Sequence, residues 1–431
     1  MPASADVVVV GGGLTGLWTA YSLLRAEPAL DVLVLEARHV GFGASGRNGG
    51  WVSALWPVPP ERVARRHGAA AATAHLAALR DTVDEVGRVC EQERVDAGFT
   101  KGGTVVLARG AAQAERARAL ADAGAAWDDG TLWLAPAEAR ERLAAVRVDG
   151  ATFNPNCARV HPRRLVDGLA RAVSARGGCI VEGAAVATVG EGEVVLEDGR
   201  RVAGRHVVLA TEAFTARIPG LRRRIAPVYS LMVATEPLDA DRWRRIGLAD
   251  REVFADHGHV IVYGQRTTDD RIAFGGRGAP YHFGSRVRPE FDHDDTVFAS
   301  LRATLLDLLP QLDGVEFTHA WGGPLGIARD WHPSVGYDTA TRTGWAGGYV
   351  GDGVAATNLA GRTLADLVLG RRTPITELPW VGHRSPSWKP EPLRWLGVNA
   401  GLRLAGLADR EEAVTGRPAR LGRALSALTG H

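Results

Sequence analysis

The chain has 431 residues, enough for two domains, or one large domain with an insertion, around a sizeable core. Its hydrophobic content of 45% and charged content of 23% are those of an ordinary globular protein, and a formal net charge of +2 makes no electrostatic case for nucleic acid or an anionic membrane. Cys90, Cys157 and Cys179 show neither C-x-x-C spacing nor an even count, which argues against a disulfide framework or a metal site and fits a reducing cytoplasm.

The first element is Val7-Val8-Val9-Val10, four branched apolar residues suited to a strand buried on both faces. We read it as that strand, not as a signal peptide, and no run of about 20 apolar residues follows to span a membrane. Straight after it comes G-x-G-x-x-G at Gly11, Gly13 and Gly16, then helical periodicity over residues 14–25. Gly11 permits the tight turn, Gly13 lets backbone approach a diphosphate, and Gly16 lets the helix pack close to the strand. A diphosphate is expected at the helix N-terminus, where free N–H groups and the helix dipole favour negative charge. The next strand, residues 31–35, ends in Glu36, 20 residues beyond Gly16, where a carboxylate can accept hydrogen bonds from ribose hydroxyls.

Residues 41–51 contain five glycines with Ala44 and Ser45, so backbone can lie there against something flat and polar. The segment reads as a cofactor cover or, failing that, as a flexible loop. Residues 69–93 predict one long helix over the sheet. Residues 98–146 mix a strand at 104–107 with Ala/Arg-rich helices at 112–123 and 137–144, the pattern of an insertion. His161-Pro162 opens a helix to 175, followed by a strand at 179–181, a hairpin with an Asp-Gly turn at 193–202, and a buried strand at 206–211. Strand-like runs at 229–235, 260–263 and 272–274 predict a mostly antiparallel sheet, and residues 301–309 a helix. Trp345 to Ala355 repeats the strand, glycine loop and helix arrangement. The tail carries Trp380, Trp388, Trp395 and a helical run over 393–407, suited to docking on the protein or to a membrane surface.

Together these pieces resemble the D-amino-acid oxidase/glycine oxidase family of FAD enzymes, and within it the branch typified by gamma-glutamylputrescine oxidoreductase. The resemblance is carried by the N-terminal fingerprint, by Gly43-Ala44-Ser45-Gly46-Arg47-Asn48-Gly49-Gly50, and by Gly348-Tyr349-Val350-Gly351-Asp352-Gly353-Val354 with Asn358 and Gly361. It covers residues 6–370. It implies an α/β architecture, α+β overall: a Rossmann-like FAD-binding domain with an antiparallel-sheet substrate domain. The FAD-binding domain would comprise residues 1–85, 151–225 and 321–375, the substrate domain 86–150 and 226–320, with a helical tail at 376–431. Leu14 and Thr15 would meet the diphosphate, Glu36 with Ala37 and Arg38 the ribose, and Val186 the adenine. Ala44, Ser45, Arg47, Asn48, Gly49 and Gly50 would lie along the diphosphate and ring. Gly348, Tyr349, Gly351, Gly353 and Val354 would present N–H groups to the ring edge that gains negative charge on reduction. The chemistry implied is hydride transfer from a carbon bearing an amine, giving an imine that water hydrolyses.

Departures from that pattern narrow the expectation. All but two of the 51 basic residues are arginine, and the stretch 271–277, where sarcosine-oxidase-type relatives keep an oxygen-activating lysine, has none. Direct use of oxygen therefore lacks the support it has in those relatives, and a dehydrogenase using another acceptor stays open beside an oxidase. The region of Ala320-Trp321, where those relatives attach the flavin through cysteine, has no cysteine, so FAD is expected to be non-covalent. Ala355 replaces their carboxylate-binding lysine. Substrate-side candidates are Trp51, Tyr263, Arg266, Arg277 and Trp321. The arginines could pair with a carboxylate or serve as ordinary surface charges, and Tyr263 could line a pocket or pack. Trp56 and Trp321 read as core residues before an aromatic amine cage, and His161 as a helix cap. A flavin monooxygenase and a non-catalytic flavoprotein subunit are the alternatives; oligomeric state is not legible.

Overall fold

The computed structural model describes residues 1–422, apart from the side chain of Arg277. Two eight-stranded sheets organise the described residues. In the first, the strands run in the order Ser334–Asp338, Thr343–Gly347, Arg201–Leu209, Ser4–Val10, Val32–Leu35, Cys179–Val181. The last five are parallel to one another, and Glu193–Leu196 with Val186–Gly190 extends the sheet antiparallel from Arg201–Leu209. Alternation explains the run of four valines. Val7 and Val9 face a core shared with the helices Leu14–Ala26, Ala69–Gln92, Pro162–Ala175 and Gly353–Val368, while Val8 and Val10 face the antiparallel extension.

Two of those helices meet through glycine. A Cβ on Gly361 would lie 2.6 Å from the carbonyl carbon of Trp18, so Gly353–Val368 and Leu14–Ala26 touch backbone to backbone. Gly16 is tighter still, with its Cβ position 1.9 Å from the carbonyl oxygen of Gly11.

The second sheet is ordered Phe317–Ala328, Ile225–Thr235, Ile272–Arg277, Val262–Arg266, Val253–Asp256, Thr104–Ala108, Gly150–Asn154, Leu132–Leu134. It is antiparallel except where Val253–Asp256 lies parallel to Thr104–Ala108. Tyr229, Leu231 and Val233 point into a core with the helix Asp295–Leu308. By the two-residue period, Ser230, Met232 and Ala234 point to the other face.

Several elements differ from expectation. The hairpin strand and the buried strand are one element, Arg201–Leu209. The twelve-residue strand Phe317–Ala328 has no sequence signal because Gly322-Gly323-Pro324 interrupts it; proline is tolerated there because the strand is at the sheet edge. It runs through the expected domain boundary at 320/321, and Gly150–Asn154 crosses the one at 150/151, so both seams fall inside strands of the second sheet.

The tail helix Leu393–Thr415 docks on the protein. Asp409 accepts from the backbone N–H groups of His259 and Val260 at 2.7 and 2.8 Å, and Glu412 accepts from both terminal nitrogens of Arg116 at 3.0 Å. Residues 423–431 of the expected tail lie outside the described residues. Among the described residues no helix is long and apolar enough to cross a membrane.

Two outcomes follow. Gly361→Ala should destabilise by about 1–3 kcal/mol through overpacking, read as a lowered denaturant midpoint. Burial pushes the Glu412 carboxyl up, but hydrogen bonds from Arg116 and His259 outweigh it and bring the group down to about 2. A depressed carboxyl stabilises fully above its unfolded value and loses that contribution as pH falls through the folded one. Pepsin should therefore cut near the tail helix before the rest of the chain as pH drops from about 4.5 to 2; uniform cutting would count against this latch.

Candidate functional site

The parallel strands end side by side, and their carboxyl ends open into one cavity of about 360 Å³. Gly11 and Gly13 line it from the first turn, Glu36, Ala37 and Arg38 from the second strand, Ala44, Ser45 and Arg47 from the second glycine loop, and Val186 from the antiparallel extension. Gly11 has φ +113°, and a Cβ there would sit 2.5 Å from the carbonyl oxygen of Ala210. A Cβ on Gly13 would lie 2.8 Å from the Ser45 hydroxyl.

The polar groups of this cavity hold one another. The Glu36 carboxylate accepts from the N–H of Gly12 at 2.8 Å and of Arg38 at 2.9 Å. Ser45 Oγ accepts from the N–H of Leu14 at 2.9 Å, which joins the second loop to the start of the first helix. Thr15 Oγ1 and Tyr349 Oη are 3.1 Å apart, which joins the late loop to the same turn. Gly16 packs and does not line the cavity. A carboxylate at one end, bare backbone and a helix N-terminus beside it suit the ribose and diphosphate of a dinucleotide.

Asn48 closes its own loop: its amide donates to the carbonyls of Ala44 and Ser45 and its Oδ1 accepts from the N–H of Gly50. Gly49 and Gly50 lie against the second sheet, where Cβ atoms would fall 2.5 Å from the Tyr263 ring and 2.1 Å from Gln265 Nε2. Gln265, absent from the sequence expectation, is 3% exposed and donates to the carbonyl oxygens of Gly49 and Val160 at 2.6 and 3.2 Å. Its position two residues after Tyr263 is the signal that could have found it.

The late loop departs from expectation at its first residue. The N–H of Gly348 donates to Glu212 Oε2 at 2.8 Å, so that donor is already engaged by the protein's own carboxyl. Gly351 has φ +101°, and Gly353 and Val354 begin the helix Gly353–Val368, whose first-turn N–H groups have no intrahelical partner. Ala355 is fully buried in that helix.

Of the substrate-side candidates, Trp51 stands edge-on to Tyr263 with centroids 6.0 Å apart, and Tyr263 Oη lies 2.8 Å from Ser230 Oγ. Trp321 Nε1 donates to the Arg47 carbonyl at 2.9 Å. Arg266 must be corrected. In the strand Val262–Arg266 it falls on the opposite face from Tyr263 and Gln265, where it stacks 4.3 Å from the Trp243 ring centroid and pairs with Asp270 at 2.7 Å. Arg277 closes the strand Ile272–Arg277 opposite Ser230; its side chain lies outside the described residues. Trp56 packs against His75 and Trp380, as a core residue does, and His161 Nδ1 caps the N–H of Arg164.

A second cavity, about 690 Å³ and lined by Asn48, His161, Gln265, Arg271 and Trp321, adjoins the first. Arg47 and Asp292 line both, joined at 2.5 Å. Burial raises the Asp292 carboxyl while hydrogen bonding from Arg47 lowers it, with a net rise. Arg47→Ala should therefore cost about 1–3 kcal/mol, measured by urea denaturation, because a half-buried carboxylate loses its charged donor; Arg47→Lys should recover part of the loss.

Residues 6–367 match the family model described as FAD dependent oxidoreductase (DAO). The chain is 30% identical over 375 residues to gamma-glutamylputrescine oxidoreductase of Escherichia coli K12, covering 85% of this chain and 84% of that protein. It is 29% identical over 379 residues to a probable oxidoreductase, OrdL, of Haemophilus influenzae, covering 85% and 83%. Its fold is similar to that of glycine oxidase from Geobacillus kaustophilus, with a TM-score of 0.74 and 21% identity over 89% of this chain and 100% of that one. The cavity at the carboxyl ends of the first sheet thus belongs to a chain of the DAO family of FAD-dependent oxidoreductases.

Proposed function

We propose that this chain oxidises a primary or secondary amine or an amino acid, removing hydride from the carbon that bears nitrogen and leaving an imine that water hydrolyses to a carbonyl. The observation that carries this reading is the junction of the two sheets. The loop through Gly49 to Trp51 runs from the dinucleotide cavity onto the face of the second sheet that carries Ser230, Tyr263 and Gln265. The relatives reported above are named for amine-bearing substrates, gamma-glutamylputrescine and glycine, which supports the same class.

The FAD, when bound, supplies the two-electron acceptor. The chain's own part is to hold and orient. Gly11, Gly13, Leu14, Thr15, Ala44, Ser45 and Arg47 would take the diphosphate, Glu36 with Ala37 and Arg38 the ribose, and Val186 the adenine. Asn48, Gly49, Gly50 and the late loop, Gly348 to Val354, would frame the ring. Tyr263, Trp51 and Trp321 would wall the substrate and exclude water, fixing its C–H bond against the ring, where orientation supplies much of the rate. Neither cavity lining contains lysine among the described residues, and Lys101 pairs with Asp84 away from both, so no lysine serves there as a base toward the amine.

No cysteine lines either cavity, which supports non-covalent FAD. The three free cysteines support a cytoplasmic setting. Oxygen or another acceptor takes the electrons; the lysine-free 271–277 stretch gives no support to direct use of oxygen.

Purified protein should be yellow and should lose its visible flavin absorbance when amines or amino acids are added without air, releasing the matching carbonyl. Readmitting air then separates a rapid oxidase from a dehydrogenase. Bleaching only by alcohols or thiols would sink the amine reading, and no bleaching by any of these would favour a non-catalytic role.

A further inference from the structure

Glu212 follows directly on the strand Arg201–Leu209 and its short extension, at the same carboxyl edge as the cradle glycines. Its backbone is left-handed, φ +42°, a conformation a non-glycine residue rarely adopts without a compensating role. Its carboxylate is seated by glycines on two other segments: a Cβ on Gly347 would come within 2.7 Å of Oε2, and one on Gly326 within 2.8 Å of Cδ. The Gly348 N–H bond described above completes the seat. Glu212 also lines the cavity that holds Gly11, Gly13 and Ser45. Among the described residues it has no ion pair within 4.0 Å. A carboxylate with no cationic partner among the described residues therefore lines the place where a dianionic diphosphate compound would bind.

We propose that Glu212 is a cofactor-positioning residue that holds the late glycine loop through the Gly348 N–H and is neutral while FAD is bound, so that FAD is retained with uptake of one proton at this side chain. This rests on the FAD reading of the cavity. Two carboxyl states account for the linkage: the ionised form repels the diphosphate, and the protonated form, still an acceptor through its carbonyl oxygen, does not. Burial already pushes the carboxyl up to about 7, against backbone N–H groups of Gly348, Tyr349 and Gly326 that favour the ionised form. Among the described residues the other charged groups on the cavity are Glu36, Arg38, Glu197, Arg217 and Arg288, with the Arg47–Asp292 pair, and Tyr349 stands behind the seat with its phenol pushed up by burial. Among the described residues no histidine lines this cavity. His332, whose carbonyl lies beside Gly348, is brought down to about 4 by burial, below the range that matters.

The test follows FAD released on dilution of the holoprotein, by fluorescence of the free cofactor, between about pH 6 and 8.5, a range in which the FAD diphosphate stays fully ionised. The dissociation constant of the parent should rise with pH, by up to about tenfold per unit above the carboxyl's free-state value. Glu212→Gln, which keeps an acceptor for Gly348 without the charge, should give a flat profile and hold FAD more tightly at the alkaline end. Glu212→Gly, which also suits the left-handed backbone, should be flat too and covers the case in which the glutamine variant does not fold. A flat parent, or variants that follow the parent's slope, would overturn the proposal while leaving the FAD reading intact. A parent that takes up no FAD at any pH would overturn both.

Discussion

The start of the helix Leu14–Ala26 is the point to which the site is fastened. An α-helix begins with backbone N–H groups that have no partner of their own, and three remote segments meet this turn. Glu36 takes the N–H of Gly12, Ser45 takes that of Leu14, and Tyr349, more than 300 residues later, meets Thr15. The meeting is possible only because no side chain stands at Gly11, Gly13 or Gly16, where added Cβ atoms would overlap a carbonyl, a hydroxyl and a carbonyl respectively. One strand-to-helix turn therefore sets the position of both later loops.

The second sheet meets the second glycine loop through a buried amide, with Trp321 Nε1 on the Arg47 carbonyl beside it. Gln265 donates to Gly49 and Val160, so it ties the glycine loop to the strand that bears Tyr263. Breaking this tie would strand a buried polar group, which is why such an amide specifies one arrangement of loop and sheet. The two-residue period of that strand then divides its side chains without compromise. Tyr263 and Gln265 face the loop, whereas Arg266 faces the opposite side and rests on Trp243.

Charge in the cavity is managed unevenly. Asp292 is matched by Arg47 at the boundary of two cavities, while Glu212 has backbone N–H groups and, among the described residues, no ion-pair partner. Backbone dipoles favour a carboxylate less strongly than a guanidinium does, and burial works against both. The two carboxyls thus stand in one cavity with different electrostatic support.

Much of this architecture was legible in the chain order of residues. The four valines, the G-x-G-x-x-G spacing and Glu36 depend on neighbours no more than about 20 positions away, and local pattern specifies a strand, a turn and a strand end without reference to the rest. The long helix Ala69–Gln92 and the late strand, loop and helix were readable for the same reason. What only the tertiary structure decided are the choices made by contact. The edge strand Phe317–Ala328 exists because Ile225–Thr235 pairs with it, not because Gly-Gly-Pro favours extension. Arg266 was lost to the site by strand phase, and Gln265 and Glu212 entered it because segments far apart in sequence bring backbone donors and acceptors to their side chains. Hydrogen bonds across such separations leave no periodic trace in a sequence, so the scaffold could be read from residues alone and the polar fittings of the site could not.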